Sequence, residues 1–381
     1  MKHPRYDRPP SSAIVRAMKS TPLLQALHRR LVRLSGFQGV PLEALALLPT
    51  TGLAHDHVRV GGMGVLLRVP KQSQLGLPAS DNLTYQAACF ERCGPGGHVP
   101  GLRAVLLPDE TVPMGALVVD EIKGRPPMLP ADLPAIIRAL ASIHSLPIPP
   151  SPAGRRPLRD HADPVGETLR EVTRHAAHLD AAGLRPEARR AIDGELAWAA
   201  EFARRDTRPP ITLISFDAHP GNYLVTDTGT AVLVDLEKAR YGAAGFDLAH
   251  ATLYTSTTWD VACHAVLGTA DLAAAYEHWL NAVPTALARA SLPWLLPLRR
   301  VMWLWSVTWS AKWRVESKAE AKPLKHQASD AEDWSADLSD AALVDHVANR
   351  VADFLDPVTI AAIRSEWLDA NPLTDLLPSG G

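Results

Sequence analysis

Cysteine is scarce in this chain, and neither sign of charge is in excess. The 381 residues include three cysteines, Cys89, Cys93 and Cys263, with no C-x-x-C pair. An odd, sparse count argues against a disulfide framework or a zinc site and fits a reducing compartment, so a cytoplasmic location is expected. Lys+Arg 39 against Asp+Glu 41 leaves a formal net charge of -2. Such a balance gives no overall field for nucleic acid or an anionic membrane, and neither is expected as a partner. No apolar run is long enough to span a bilayer, and the N-terminus lacks the apolar stretch of a signal peptide. There is no internal repeat, and no H-E-x-x-H or similar paired-histidine spacing to support a metallohydrolase built on Asp217, His219, Asp235 and His250.

Three regions follow from the patterning. Residues 1–40 are basic and contain "TPLLQALHRRLVRL", in which Leu23, Leu27, Leu31 and Leu34 share one helical side. This segment reads as a helical extension docked on the region after it, arginines outward. Residues 41–120 are strand-rich: "HVRV" and "VLLRV" flank the turn "GGMG", and "SDNLTYQAACFERCGPGG" reads as one helix started by Ser80 or Asp81. "ALVVDEIKGRPP" is a strand entering a Gly/Pro connector. From 121 to 381 the chain is mainly helical. "PADLPAIIRALASIHSL" places Leu133, Ile136, Ile137, Leu140 and Ile143 on one face, with Asp132 as a start signal.

One segment interrupts the helices. In 214–242, "ISFDAHPGNYLVTDTGTAVLVDLEKARYG", two β-rich runs flank the turn signal "DTG". A turn centred on Thr228 and Gly229 sets Asn222 almost opposite Asp235, within reach of one cation. Few, hard oxygen ligands that leave room for phosphate oxygens suit Mg²⁺. Asp217, on the loop before the first strand, is placed to orient a hydroxyl and accept its proton during attack on a phosphoryl group.

The longer string "DAHPGNYLV…VLVDLEKARYG…DLA" resembles the aminoglycoside phosphotransferase/choline kinase family, whose members read H-G-D-x-H-x-x-N, then I-D-W/F-E, then D-L-A. The resemblance covers roughly residues 45 to 310 and is strongest from 213 to 250. It implies an α+β, two-lobed protein-kinase-like fold: a small antiparallel-sheet N-lobe and a larger, mainly helical C-lobe. It also implies transfer of the γ-phosphoryl of ATP or GTP, with Mg²⁺, to a hydroxyl of a small molecule. By position, Asp217 is then the base, Asn222 and Asp235 are the metal ligands, and Ser215, His219 and Asp247 support the loop.

In the first lobe the resemblance is looser. Thr51 and Gly52 fall in the phosphate-covering loop, where small residues let backbone N–H groups approach phosphate. Arg68 takes the place of the strand lysine that meets the α- and β-phosphates, with Lys71 as the fallback. Gln86 stands where a glutamate partners that cation; Glu91, five residues on, points to another helical face. The backbone of Val118, Val119 and Glu121 is expected to meet the adenine edge. Ser215 replaces the family's histidine, and Phe216 the glycine after it.

For the acceptor, Trp305, Trp309 and Trp313 recur at four-residue spacing and share one helical face. They suit either core packing or a cage for a quaternary ammonium. Asp330, Glu332, Asp333, Asp337, Asp340 and Asp345 form an acidic stretch that suits a polycation or a solvated loop. The competing reading is a nucleotide-binding pseudokinase acting as scaffold or regulator, motivated by Gln86 and Ser215. A monomer or homodimer is expected.

Overall fold

A computed structural model describes residues 12–49, 54–317 and 341–377, the side chains of 12–20 and 341–344 excepted. The chain forms two compact units. One comprises the chain up to Ala87 together with Gly101–Glu121; the other comprises Ala88–Pro100 and everything from Ile122 onward.

The first unit is built on helix α1 (Ser12–Leu31) and strands β1 (Leu45–Leu47), β2 (His55–Val60) and β3 (Val65–Pro70). It continues with the first part of helix α2 (Ala79–Cys93), then β4 (Leu102–Leu106) and β5 (Ala116–Asp120). The strands make one antiparallel sheet in the order β1-β2-β3-β5-β4. Alternation explains its core: Val58 and Val60 are buried while Arg59 between them is exposed. Leu27 and Leu31 of α1 join that core, with Leu23 and Leu34 at its margin. Arg29 and Arg33 lie exposed, and Arg30 pairs with Asp109 at 2.9 Å. The apolar stripe of the basic N-terminal helix is therefore covered by its own sheet.

The second unit begins with helices α3 (Leu133–His144), α4 (Pro152–Arg155), α5 (Pro164–Ala176) and α6 (Pro186–Ala203). Four short strands follow: β6 (Thr212–Ile214), β7 (Tyr223–Val225), β8 (Ala231–Leu233) and β9 (Arg240–Gly242). They pair as β6-β9 and β7-β8. Next come α7 (Ala244–Thr252), α8 (Tyr254–Thr257), α9 (Thr269–Ala282) and the 32-residue α10 (Thr285–Glu316). The unit closes with α11 (Ala341–Phe354), α12 (Pro357–Leu368) and α13 (Pro372–Leu376). No helix among the described residues is long and apolar enough to cross a membrane.

Helix α3 forms as the apolar spacing predicts, with Ile136, Ile137, Leu140 and Ile143 fully buried. Its start differs in detail. Asp132 holds the N-cap position without capping; its carboxylate instead accepts from Met128 N–H and Arg125 Nη1, both at 2.6 Å. Proline near the helix start supplies φ in its place and removes an N–H that would need a partner. Helix α10 is the axis of the unit and packs against α5, α6, α7, α9 and α11. Glu195 of α6, buried, accepts from Arg300 of α10, from Arg364 and from Trp367 of α12.

Candidate active site

The loop after β6 is held from behind by one carboxylate. Asp247, on α7 and fully buried, accepts from the backbone N–H of Ser215 (2.7 Å) and of Phe216 (2.8 Å). His144 Nε2 lies 3.1 Å from the same carboxylate, and Trp279 Nε1 donates to His144 Nδ1 at 2.9 Å. An indole N–H can only donate, so Nδ1 is the acceptor and Nε2 carries the proton that His144 donates to Asp247. Three helices, α9, α3 and α7, thus converge on two peptide N–H groups. Ser215 itself joins in: its Oγ accepts from Asp217 N–H at 3.2 Å.

Phe216 adopts φ +57°, the only positive φ of a non-glycine residue among the described ones. Its ring has the Arg240 guanidinium carbon 3.8 Å from its centroid, with Phe246 at 6.0 Å and Trp305 at 6.4 Å edge-on. These contacts hold a side chain in a conformation that favours glycine.

After Asp217 the chain turns tightly. His219 leads into a single 3₁₀ turn, Pro220–Asn222, and Asn222 N–H donates to His219 O. A Cβ on Gly221 would lie 2.6 Å from Asp260 Oδ2 and 2.9 Å from the His219 ring, so a larger residue would have to displace one of those side chains. Asn222 Nδ2 donates to Asp217 O at 2.8 Å, which aims the amide oxygen away as the side chain's acceptor.

The register of the hairpin corrects the sequence-based one by a residue. Tyr223 pairs with Leu233 and Val225 with Ala231, so Asn222 lies across from Val234, whose N–H donates to Asn222 O. Asp235 is the next residue along. The turn is a three-residue loop, Asp227–Gly229, closed by Thr226 and Thr230, with Gly229 at φ +77°. The extra left-handed residue shifts the pairing from that of a two-residue turn.

Asp217 is 7% exposed and ion-paired with Lys238 Nζ at 3.0 Å; His250 Nδ1 lies 4.0 Å away on its other oxygen. Burial raises the carboxyl's pKa, but Lys238, then His219 and His250, outweigh it, and the net shift is downward; Asp235 opposes them slightly. Burial lowers His219 and brings His250 down to about 4, with Asp217 only partly offsetting it in each case. The polar cluster is therefore one carboxylate, one ammonium and two neutral imidazoles at neutral pH. These four groups line a cavity with about 570 Å³ of empty space, including its opening. Trp259, Trp305, Trp309 and Phe354 line it as well. Trp313, the third member of the aromatic repeat, is buried and does not line it.

In the sheet unit, Arg68 is 4% exposed, whereas Lys71 is exposed and pairs with Asp56 at 3.5 Å. Gln86 is buried and Glu91 exposed, as the helical offset predicts. Arg68 and Gln86 are linked by His55: Arg68 Nη2 lies 3.4 Å from His55 Nδ1, and His55 Nε2 lies 3.1 Å from Gln86 Oε1. Since guanidinium only donates, His55 Nε2–H is the donor to Gln86. The strand expected to meet an adenine edge is committed to its sheet. Val118 and Val119 pair with both β3 and β4, and the N–H groups of Asp120 and Glu121 donate to Gly101 O and Gly64 O. The Glu121 side chain pairs with Arg59 at 2.6 Å. Thr51 and Gly52 lie outside the described residues, as does the acidic stretch apart from Asp345.

A sequence model of the phosphotransferase enzyme family matches residues 69–287, more than half of the chain. The chain belongs to that family. Comparison with curated protein sequences finds no match. Solved structures similar to this family member include the choline kinase of Cryptosporidium parvum Iowa II, at 11% identity and TM-score 0.55, covering 94% of this chain and 99% of that one. The ethanolamine kinase of Plasmodium vivax gives 10% and 0.55, covering 95% and 98%. The GDP complex of aminoglycoside 2'-phosphotransferase-IIIa gives 12% and 0.54, covering 86% and 98%. At such identities the likeness establishes the fold: protein-kinase-like, with a small antiparallel-sheet lobe and a larger, mainly helical lobe.

Four residues of these networks were not singled out from sequence: His144, Trp279, Lys238 and His55. His144 alone left a trace, since it sits four residues after Leu140 on the buried face of α3.

Proposed function

We propose that this family member moves the γ-phosphoryl of a nucleoside triphosphate, ATP or GTP, to a hydroxyl of a small molecule. The observation that carries the reading is Asp217: a buried carboxylate facing a cavity, on a loop whose backbone Asp247 fixes from behind. Its lowered pKa keeps it ionised at neutral pH, so it accepts a hydrogen bond from the acceptor hydroxyl and orients the oxygen for in-line attack. Catalysis then comes from positioning and charge complementarity.

The donor chemistry also fits a hard cation. Asn222 has its amide nitrogen committed to Asp217 O, leaving its oxygen for a ligand, and Asp235 adds a half-buried carboxylate one residue beyond the strand pairing. These two would hold Mg²⁺, which when bound neutralises charge on the transferring group. Arg68 is the proposed phosphate-binding cation, positioned through His55 and Gln86. Residues 41–120 would serve the nucleotide, and 121–381 the chemistry and the acceptor.

The test is acceptor-dependent release of ADP from Mg-ATP, or GDP from Mg-GTP, with a pool of hydroxyl compounds. Asp217→Asn should leave nucleotide binding nearly intact and cut turnover by at least ~10²-fold, the usual worth of a positioned base. Asp235→Asn should weaken metal-dependent nucleotide binding itself. If both variants match the parent in binding and turnover, the assignment is wrong. Nucleotide binding with no transfer to any acceptor would favour the scaffold reading.

A further inference from the structure

The helical unit holds a second cavity, which shares no lining residue with the one at Asp217. It has about 670 Å³ of empty space, including its opening, a size usual for small-molecule sites. Val266 and Leu267, on the loop before α9, give it an apolar lining together with Val358, Ala362 and Ile363 of α12. Val266 and Val358 are exposed, so a ligand with an apolar body would cover surface that now faces water.

The polar side chains of the lining are those of Thr252, Tyr254, Thr359 and Glu366. Each hydroxyl has one proton to donate, and each commits it within the protein. Thr252 donates to Leu248 O at 2.7 Å, Tyr254 to Asp353 Oδ2 at 2.9 Å and Thr359 to Asp353 Oδ1 at 3.0 Å. Glu366, 9% exposed, is held through one oxygen: its Oε2 accepts from Arg299 Nε at 2.7 Å. Arg299 is fully buried, and its Nη1 donates to Thr252 Oγ1 at 2.7 Å. Glu366 Oε1 makes no hydrogen bond to a described residue and stays accessible to water. The lining side chains therefore offer acceptors and no free donor. A carboxylate oxygen in a largely buried place gains most from a donor that a ligand brings to it.

We infer that this cavity is a second binding site, for a small apolar molecule that carries one N–H or O–H donor and gives it to Glu366 Oε1. The inference does not rest on the phosphotransferase reading, because its test needs neither nucleotide nor acceptor.

Indole and benzofuran share one shape and differ in an N–H against an oxygen. By calorimetry on the full chain, indole should bind at least about tenfold more tightly, the worth of one hydrogen bond to a charged group. Ala362→Phe fills the cavity from an exposed position of α12, outside the Glu366–Arg299 pair, and should remove that binding. Glu366→Gln turns its amide oxygen to Arg299, which only donates, and sets an NH₂ where Oε1 stood. In that variant indole should lose its advantage over benzofuran. Should Glu366→Gln fail to fold, with Arg299 left without its carboxylate, Ala362→Phe and the two probes on the parent decide alone. Equal binding of the two probes overturns the inference. So does indole binding that Ala362→Phe leaves untouched, which would assign the probe to another site. Binding of neither probe overturns it as well; a dimer that Val358→Asp dissociates would then make this face an interface between copies of the chain.

Discussion

Phe216 is the one non-glycine residue with a positive φ among the described residues, and the consequence is testable. A left-handed backbone costs an L-residue about 1–2 kcal/mol, while its ring packs against Arg240, Phe246 and Trp305. Phe216→Ala loses the ring, a change worth about 3–5 kcal/mol in cores, and keeps the strain. Phe216→Gly loses the ring and relieves the strain. The glycine variant should therefore be more stable than the alanine variant by about 1 kcal/mol in urea unfolding, the reverse of the order in helices and strands. Equal stabilities would show that φ +57° carries no strain here. Ser215, beside it, ties the loop locally: its hydroxyl accepts from Asp217 N–H, a bond that any serine two residues before an N–H can make.

Between elements, buried charge does the joining. Glu195 on α6 accepts from Arg300 Nε and Arg364 Nε, each at 3.0 Å, and from Trp367 Nε1 at 3.3 Å. Removing it leaves two partly buried guanidinium groups without their carboxylate. Glu195→Ala should cost about 3–5 kcal/mol, with Arg300→Met partly restoring stability in the double variant. A loss under about 1 kcal/mol in thermal unfolding would count against the network. The same logic governs the site loop, where α3, α7 and α9 meet through Trp279, His144 and Asp247. The hairpin β7–β8 was legible because alternation and "DTG" are local signals. Its register was not, because one residue of turn length depends on whether Gly229 adopts the left-handed conformation.

Across the molecule, acid should be destabilising in two windows. His250 has a folded pKa of about 4 against about 6.5 unfolded. As pH falls below the unfolded value, the unfolded chain binds the proton first, so stability declines from about pH 6.5 and stops declining for this group near its folded value. The group's contribution is roughly 3 kcal/mol by linkage. Asp217, shifted downward, acts at lower pH: its stabilisation is present above the usual carboxylate range and lost as pH drops through its folded value. Urea unfolding from pH 7.5 down to 4.5 should show a slope that His250→Gln flattens. An unchanged slope in that variant would remove His250 from the account.

Asp217, Asn222 and Asp235 were readable in order because they lie on one short stretch, where turn chemistry and strand alternation fix neighbours within a few residues. The buried faces of α1 and α3 were readable for the same reason, through their 3.6-residue period. Packing alone decided what surrounds the carboxylate. Lys238 reaches Asp217 only because β9 returns to β6, and His144 and Trp279 reach Asp247 only because three helices cross there. The cavity wall likewise joins Trp259, Trp305, Trp309 and Phe354 from segments far apart in the chain. Long-range contacts of this kind leave no periodic mark, since each is set by the sum of many burials and not by the spacing of its own residues.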